Sequence, residues 1–131
     1  MASLSDFPMS ARLAAVDIGR ARAWYADKLG LTPEKEEMGG MALWYRSAST
    51  WFLLYQTDAA GTARNTVGGW EVSGLEAVMA ELRGRGVQFE EYDFGEMKTV
   101  DGVLTVPSGF KSAWFIDSEG NTLELTESPE P

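Results

Sequence analysis

One glutamate near the end of the chain, Glu124, stands between Leu123 and Leu125 in a stretch that alternates polar and apolar residues. Such alternation is typical of a β-strand with one buried face, so the Glu124 carboxylate should point away from the two leucines. A carboxylate in that setting can bind a metal ion or act as a general base. Arg12 and Glu71 occupy similar positions in two other predicted strands. The sequence therefore predicts that one guanidinium and two carboxylates share one face of a sheet.

The composition removes several kinds of chemistry. The chain has 131 residues, with no Cys and no His. Without Cys there are no disulfides, no thiolate nucleophiles and no cysteine-bound zinc. Without His the commonest metal ligand is missing, and a Ser-His-Asp triad is impossible.

The charge and hydropathy of the chain bear on its partners. Eleven Lys and Arg stand against twenty Asp and Glu, for a formal net charge of −9. Nucleic acids and anionic membranes both favour basic surfaces, so neither is expected as a partner. No apolar run approaches the roughly 20 residues that span a bilayer, and the N-terminus lacks the basic-then-apolar pattern of a secretory signal. We expect a cytoplasmic protein.

The elements that must position these charges follow from periodicity and punctuation. Asp17 is placed to cap a helix that Gly30 ends, and Ser73 with Glu76 forms the pattern of a capping box for a second helix that stops at Gly84. The predicted strands cover residues 10–16, 41–46, 50–56, 66–72, 87–94, 111–116 and 122–126.

The two halves of the chain repeat this order. Placing Val16 on Val72 also places Ala21 on Ala77, whereas Ile18 fits Leu75 only if the second helix is one residue shorter. The repeat favours two βαβββ modules, residues 10–57 and 66–127, joined by a linker at 58–65 within a single domain of residues 1–131. The predicted fold class is α+β, with a curved mixed sheet and helices outside. A generic α+β sandwich with a chance repeat is the alternative.

Three segments carry a resemblance to a known family. They are V-D-I at residues 16–18 with W-Y at 24–25 and L-G-L at 29–31, then Val87 after the second helix, then WFIDSEGNTLEL at 114–125. This order resembles the vicinal oxygen chelate superfamily, which includes glyoxalase I, bleomycin resistance proteins and extradiol dioxygenases. The resemblance spans roughly residues 10–126 and implies the glyoxalase/bleomycin resistance fold. It leaves the chemistry open, because this superfamily contains isomerases, lyases, dioxygenases, epimerases and binding proteins.

The resemblance also implies where a metal ion would bind. Carried onto this sequence, the ligand positions of metal-using members fall on Ser10, on Leu53, on Val67 (or Thr66) and on Glu124. Only Glu124 is a competent ligand, and oxygen-based sites for hard cations need about six oxygens. We therefore expect no metal and no other cofactor.

A pocket for a flat, partly apolar molecule is the remaining candidate site. The proposed ligand-binding residues are Arg12, Trp44, Trp51, Glu71, Tyr92, Met97, Trp114 and Glu124. Aromatic side chains with a few polar groups suit such a ligand, although core packing is the alternative for each aromatic residue. The acidic segment 91–111 is long enough to act as a binding loop and would attract a cationic ligand. Mutual pairing of Arg12 with the two glutamates is the alternative for the charges.

Three functions fit these features. The first is a metal-independent protein that holds an aromatic or amphipathic ligand, including a cationic one, in a cavity. The second is an isomerase or lyase, with or without a metal ion, in which Glu124 or Glu71 is the catalytic base and Tyr45, Tyr55 or Arg12 the electrophile. The third is a scaffold whose cavity is filled by its own side chains. The resemblance implies a homodimer in each case.

Overall fold

The structure is a computed structural model that describes residues 3–129; residues 1–2 and 130–131 of the predicted domain lie outside the described residues. Its elements are β1 (Arg12–Ala15), α1 (Ile18–Trp24, continued by a π-helical turn at Tyr25–Leu29), β2 (Lys35–Glu37), β3 (Ala42–Ser47), β4 (Thr50–Gln56), β5 (Thr66–Glu71), α2 (Leu75–Gly84), β6 (Leu104–Thr105), β7 (Lys111–Ile116) and β8 (Thr122–Glu127). Among residues 3–129 no helix has the length and apolar character needed to cross a membrane.

Each half of the chain forms one four-stranded mixed sheet. The strand orders are β1-β4-β3-β2 and β5-β8-β7-β6, and in each sheet the first strand runs parallel to the last. The equal order confirms the α+β class and the two βαβββ modules. The two sheets meet where β1 and β5 lie side by side, and within residues 3–129 no hydrogen-bonded ladder joins them, so the predicted curved sheet consists of two four-stranded sheets that meet at this seam.

One face of both sheets packs against α1 and α2 and forms the core. Its buried strand residues include Leu13, Ala15, Leu43, Tyr45, Phe52, Leu54, Ala113, Phe115, Leu123 and Leu125. Trp70 joins the modules, because its ring lies 6.3 Å from that of Phe52 and 6.2 Å from that of Phe115. Its Nε1 donates a hydrogen bond of 3.0 Å to Ser47 Oγ. The core is therefore continuous across the seam.

The two helices begin differently. Asp17 caps α1 as predicted, since its side chain accepts a 3.0 Å hydrogen bond from the Arg20 amide, and Gly30 ends the helical stretch in a left-handed conformation (φ 71°). The predicted capping box of Ser73 and Glu76 is wrong. The Glu127 carboxylate at the end of β8 accepts from the first amides of α2 instead. A side chain distant in sequence cannot be found by a local motif search.

The segment before β7 also differs from the prediction. Residues 87–94 form no strand. Two isolated β-bridges involve this segment, one between Phe89 and Phe115 and one between Asp93 and Lys98. The short strand β6 pairs with β7 in their place. Residues 92–103 fold back on themselves through the Asp93–Lys98 bridge and a further one from Val100 to Val103. The segment is therefore an ordered loop, as its length suggested.

The buried turn at residues 117–121 of module two is hydrogen-bonded to module one. Asp117 accepts from the backbone amides of Glu119 and Asn121 and from Tyr25 Oη, the last at 2.6 Å. The Asn121 side chain donates to the Ala14 carbonyl of β1 at 2.8 Å. Asp117 and Asn121 are buried. These residues belong to the motif that carries the family resemblance, and their role here is to fix the two modules together.

Candidate functional site

The face of the two sheets turned away from the helices is called the open face. Strand alternation places on it the residues between the buried core positions. It carries the side chains of Arg12, Trp44, Arg46, Trp51, Leu53, Tyr55, Thr66, Glu71, Trp114 and Glu124, with Gly69 contributing backbone. Every predicted ligand-binding residue that lies in a strand is among them.

Six open-face residues form a row across six strands. In module one, Leu53 is in register with Trp44 on one side and with Arg12 on the other. In module two, Glu124 is in register with Trp114 on one side and with Gly69 on the other. Because β1 and β5 are adjacent at the seam, the two halves meet there. The row has a tryptophan towards each end and a guanidinium and a carboxylate near its centre.

The module-one half of the open face carries two arginines stacked on tryptophans. Arg12 Cζ lies 5.0 Å from the centre of the Trp44 ring, and Arg46 Cζ lies 5.1 Å from that of Trp51. Both distances fit cation–π contacts. The stacking holds each guanidinium plane while its N–H groups remain free to donate to a ligand.

The module-two half carries an aromatic cluster beside Glu124. The Trp114 ring is 5.4 Å from that of Tyr92 and 6.5 Å from that of Phe94, both edge-to-face. Trp114 Nε1 donates to Thr66 Oγ1 at 3.2 Å, which fixes the indole. Burial raises the pKa of Tyr92, and the neighbouring Glu90 carboxylate adds to the effect. The cluster is thus partly dehydrated and lies next to a carboxylate.

At the centre of the row, Gly69 contributes no side chain. A Cβ atom at this position would lie 2.6 Å from the Glu124 carbonyl oxygen, so any side chain here would force the two strands to shift. The neighbouring Gly68 faces the opposite way, and a Cβ there would meet Ala11, Leu13 and Leu123 at ordinary contact distances. The strip of sheet between Arg12 and Glu124 is consequently exposed backbone.

The expected pairing of Arg12 with Glu71 or Glu124 is not formed. None of the ion pairs among residues 3–129 involves any of these three residues. Arg12 stacks on Trp44, and Glu71 accepts a 3.0 Å hydrogen bond from Ser128 Oγ. The charges on this face are therefore available to an external partner.

The residues at the implied metal positions do not fit a metal ion. Within residues 3–129 no three Asp, Glu, His or Cys side chains converge. Leu53 is aliphatic, and Val67, which was expected on the open face, packs beside the core because β5 bulges between Thr66 and Gly68. Among the described residues, Glu124 is left without a second strong ligand beside it.

The predicted tyrosines and Met97 occupy different places. Tyr45 lies on the core side, stacked at 4.9 Å on Phe52, and burial raises its pKa to about 12. It cannot serve as an electrophile opposite Glu124, which corrects that part of the enzyme hypothesis. Tyr55 lies on the open face and is 38% exposed. Met97 is exposed in the loop after Phe94, where its carbonyl accepts from the Phe94 amide.

One cavity adjoins the open face, and a larger one lies away from it. One of about 250 Å³ lies at the seam and shares Trp51 and Gly69 with the open face; Ser10, Ser47 and Thr50 add hydroxyl groups to its lining. A larger one, about 420 Å³, lies between α2 and the loop at 98–105. Two of its cations are already engaged, Lys111 by Glu76 and Arg83 by the Asp101 carbonyl. The seam cavity is therefore the one connected with the candidate site.

Two residues of the candidate site were not predicted from the sequence. Arg46 follows Trp44 by two residues in β3, so strand alternation together with the hairpin register to Trp51 would have found it. Phe94 was assigned to a strand that does not form, and no local signal places it against Trp114.

Comparison with known proteins identifies the fold. No protein-family model matches the sequence, and no curated protein is significantly similar to it. Solved structures do match. A glyoxalase/bleomycin resistance protein from Catenulispora acidiphila superposes with a TM-score of 0.68 at 21% identity, covering 92% of this chain and 97% of that one. The chain has the glyoxalase/bleomycin resistance fold.

Other proteins with this fold differ widely in activity. A lactoylglutathione lyase from Agrobacterium tumefaciens matches with a TM-score of 0.67 at 18% identity over 92% of each chain. A fosfomycin resistance protein from Listeria monocytogenes, solved with Mn(II), matches with a TM-score of 0.62 at 15% identity over 90% of this chain and 86% of that one. The glyoxalase/bleomycin resistance fold thus includes a manganese-bound protein, whereas residues 3–129 of this chain bring together no side chains for such a site.

Proposed function

We propose that the protein binds a small aromatic molecule on the open face, without a metal ion. The observation that carries the proposal is the row from Trp44 to Trp114, in which partly exposed aromatic rings flank unpaired charges and a bare glycine. Aromatic surfaces with a few convergent polar groups are the usual lining of small-molecule sites. The fixed Trp114 indole and the seam cavity support the same interpretation.

Aromatic side chains that only pack against the rest of the protein would be covered by other side chains. Phe94 is 58% exposed and Tyr55 38% exposed, although both are large and apolar. Trp44, Trp51 and Trp114 are each partly exposed. This exposure favours a ligand-binding face over a filled scaffold. We also propose a cytoplasmic homodimer, in which a second copy would cover part of this apolar surface; light scattering in solution measures its mass.

Native mass spectrometry tests the proposal. Chelator-treated protein is incubated with an extract of cellular metabolites, desalted and weighed, and the ligand is then released and identified. We expect one low-mass aromatic ligand per chain, recovered unchanged. The Trp114→Leu variant should lose the ligand, while Trp24→Leu, which alters a tryptophan on the helix side, should keep it. Equal retention by both variants, or no retention by the wild type, would refute the proposal; recovery of a chemically altered ligand would instead favour the isomerase or lyase.

A further inference from the structure

The charges on the open face are sorted by module. Arg12 and Arg46 lie in the first sheet, whereas Glu71 and Glu124 lie in the second. None of the four takes part in an ion pair within residues 3–129. The face therefore has a cationic half and an anionic half that are not neutralised by each other.

The outer strand β2 adds no net charge to the cationic half. Lys35 and Glu37 point to the same side, but they pair with each other at 3.3 Å. Their charges cancel locally, and exposed pairs of this kind contribute little to a field at a distance.

The cationic half suits a carboxylate. A guanidinium stacked on an indole keeps its N–H edge available, and this edge matches the two oxygens of a carboxylate. Because Arg12 is held by Trp44 and Arg46 by Trp51, little side-chain entropy is lost when either binds a ligand.

The anionic half suits an organic ammonium. Glu124 is in register with Trp114, whose ring packs against Tyr92 and Phe94. A carboxylate next to the faces of aromatic rings provides both an ion-pair partner and cation–π contacts. A purely cationic ligand would still meet the two unpaired guanidiniums of the other half.

The two halves meet at Gly69. Arg12 and Glu124 lie on strands separated only by β5, so their charges stand on opposite sides of the seam. Gly69 lies between them and has no side chain, so no side chain in the row stands between the two charges. The two ends of one zwitterion can therefore bind on either side of Gly69.

We propose that the ligand of the open face is a zwitterion with an aromatic ring, such as an aromatic amino acid, whose carboxylate binds Arg12 and whose ammonium binds Glu124. The inference rests on the proposed function, because it concerns the same face. It replaces the expected cationic ligand with a dipolar one, and it orients that ligand across the seam.

Four probes that share an indole ring test the charge requirement. L-tryptophan carries both charges, tryptamine only the ammonium, indole-3-propionate only the carboxylate, and indole neither. Their dissociation constants are measured by calorimetry or by NMR titration. We expect L-tryptophan to bind at least about tenfold more tightly than either singly charged probe, which corresponds to about 1.4 kcal/mol. Binding of a singly charged probe as tightly as L-tryptophan would overturn the inference.

Two variants assign the ends of the ligand. Arg12→Gln should weaken L-tryptophan and indole-3-propionate but not tryptamine, and Glu124→Gln should weaken L-tryptophan and tryptamine but not indole-3-propionate. Arg85→Gln and Glu81→Gln, which remove an exposed ion pair at the C-terminal end of α2, are the matched controls and should change none of the four affinities. If all four probes bind at Trp114 with equal affinity, the zwitterion inference fails and the proposed aromatic site stands. If none of the probes binds, both fail.

Discussion

The Glu119 carboxylate accepts two hydrogen bonds from the Arg20 guanidinium, at 2.8 Å from Nε and 3.0 Å from Nη2, and so ties a turn of module two to α1 of module one. It also accepts from the Asp17 amide at 3.0 Å, and its side chain is fully buried. These contacts lower the pKa of Glu119 to about 2, the Arg20 hydrogen bonds being the largest cause. In this chain the turn that contains Glu119 links the two modules.

Replacing this carboxylate should make the fold less stable and alter its acid sensitivity. Since the folded pKa of Glu119 lies below its ordinary value of 4.5, the stabilisation is complete above that pH and is lost as the pH falls towards about 2. Glu119→Gln should lose up to about 3 kcal/mol at neutral pH, measured by urea unfolding. Its stability should also fall less between pH 5 and pH 2 than that of the wild type.

The ion pair at the C-terminal end of α2 provides the control. Glu81 meets Arg85 at 3.4 Å, and the Glu81 side chain is 70% exposed, so Glu81→Gln should change the unfolding free energy by less than about 1 kcal/mol. Equal effects of the two substitutions would contradict the role given to Glu119.

Two buried tyrosines should respond oppositely to loss of their hydroxyl groups. Tyr25 Oη donates to Asp117 at 2.6 Å, so Tyr25→Phe leaves a buried carboxylate one donor short and should cost about 1–3 kcal/mol. Tyr45 Oη is buried without a hydrogen-bond partner in residues 3–129, so Tyr45→Phe should be neutral or stabilising. Thermal unfolding of both variants checks the contrast, and a larger loss for Tyr45→Phe would argue against this packing.

Two adjacent glycines in β5 should tolerate alanine unequally. Gly69→Ala forces a Cβ to within 2.6 Å of the Glu124 carbonyl, so the strands must separate, at a cost of about 1–3 kcal/mol. Gly68→Ala adds ordinary contacts and lowers the entropy of the unfolded chain, so its effect should be small or favourable. The urea unfolding midpoints of the two variants measure this difference. If Gly68→Ala were destabilised and Gly69→Ala unaffected, the bulge in β5 would lie at a different position from the one described.

Metal removal should leave the protein unchanged. Glu124 lacks companion ligands at Ser10, Leu53 and Val67, so chelator should not lower the melting temperature, and added Mn²⁺, Ni²⁺ or Zn²⁺ should not raise it. Elemental analysis of the purified protein complements the melting curves. One tightly held ion per chain that disappears in Glu124→Gln would refute the metal-free site.

The features predictable from the sequence are those fixed by neighbours along the chain. Asp17 and Gly30 bound the first helical stretch, and alternation in β8 assigns Glu124 to its face, because these depend on local geometry. The repeat also predicted the equal strand order of the two sheets.

The features that escaped prediction depend on contacts between distant residues. Glu127 takes over the capping of α2, and Glu119 binds Arg20 across the module boundary. The bulge in β5 moves Val67 out of its predicted face, because it breaks the alternation on which that assignment rested.

The central claim, an aromatic-binding open face, is tested most directly by NMR of the five tryptophan side chains. Unlabelled indole is titrated into ¹⁵N-labelled protein, and the indole N–H signals are assigned with single Trp variants. We predict that the signals of Trp114 and Trp44 shift progressively, while that of Trp24, which lies on the helix side, stays in place. A shift confined to Trp24, or no shift at any concentration reached, would contradict the claim.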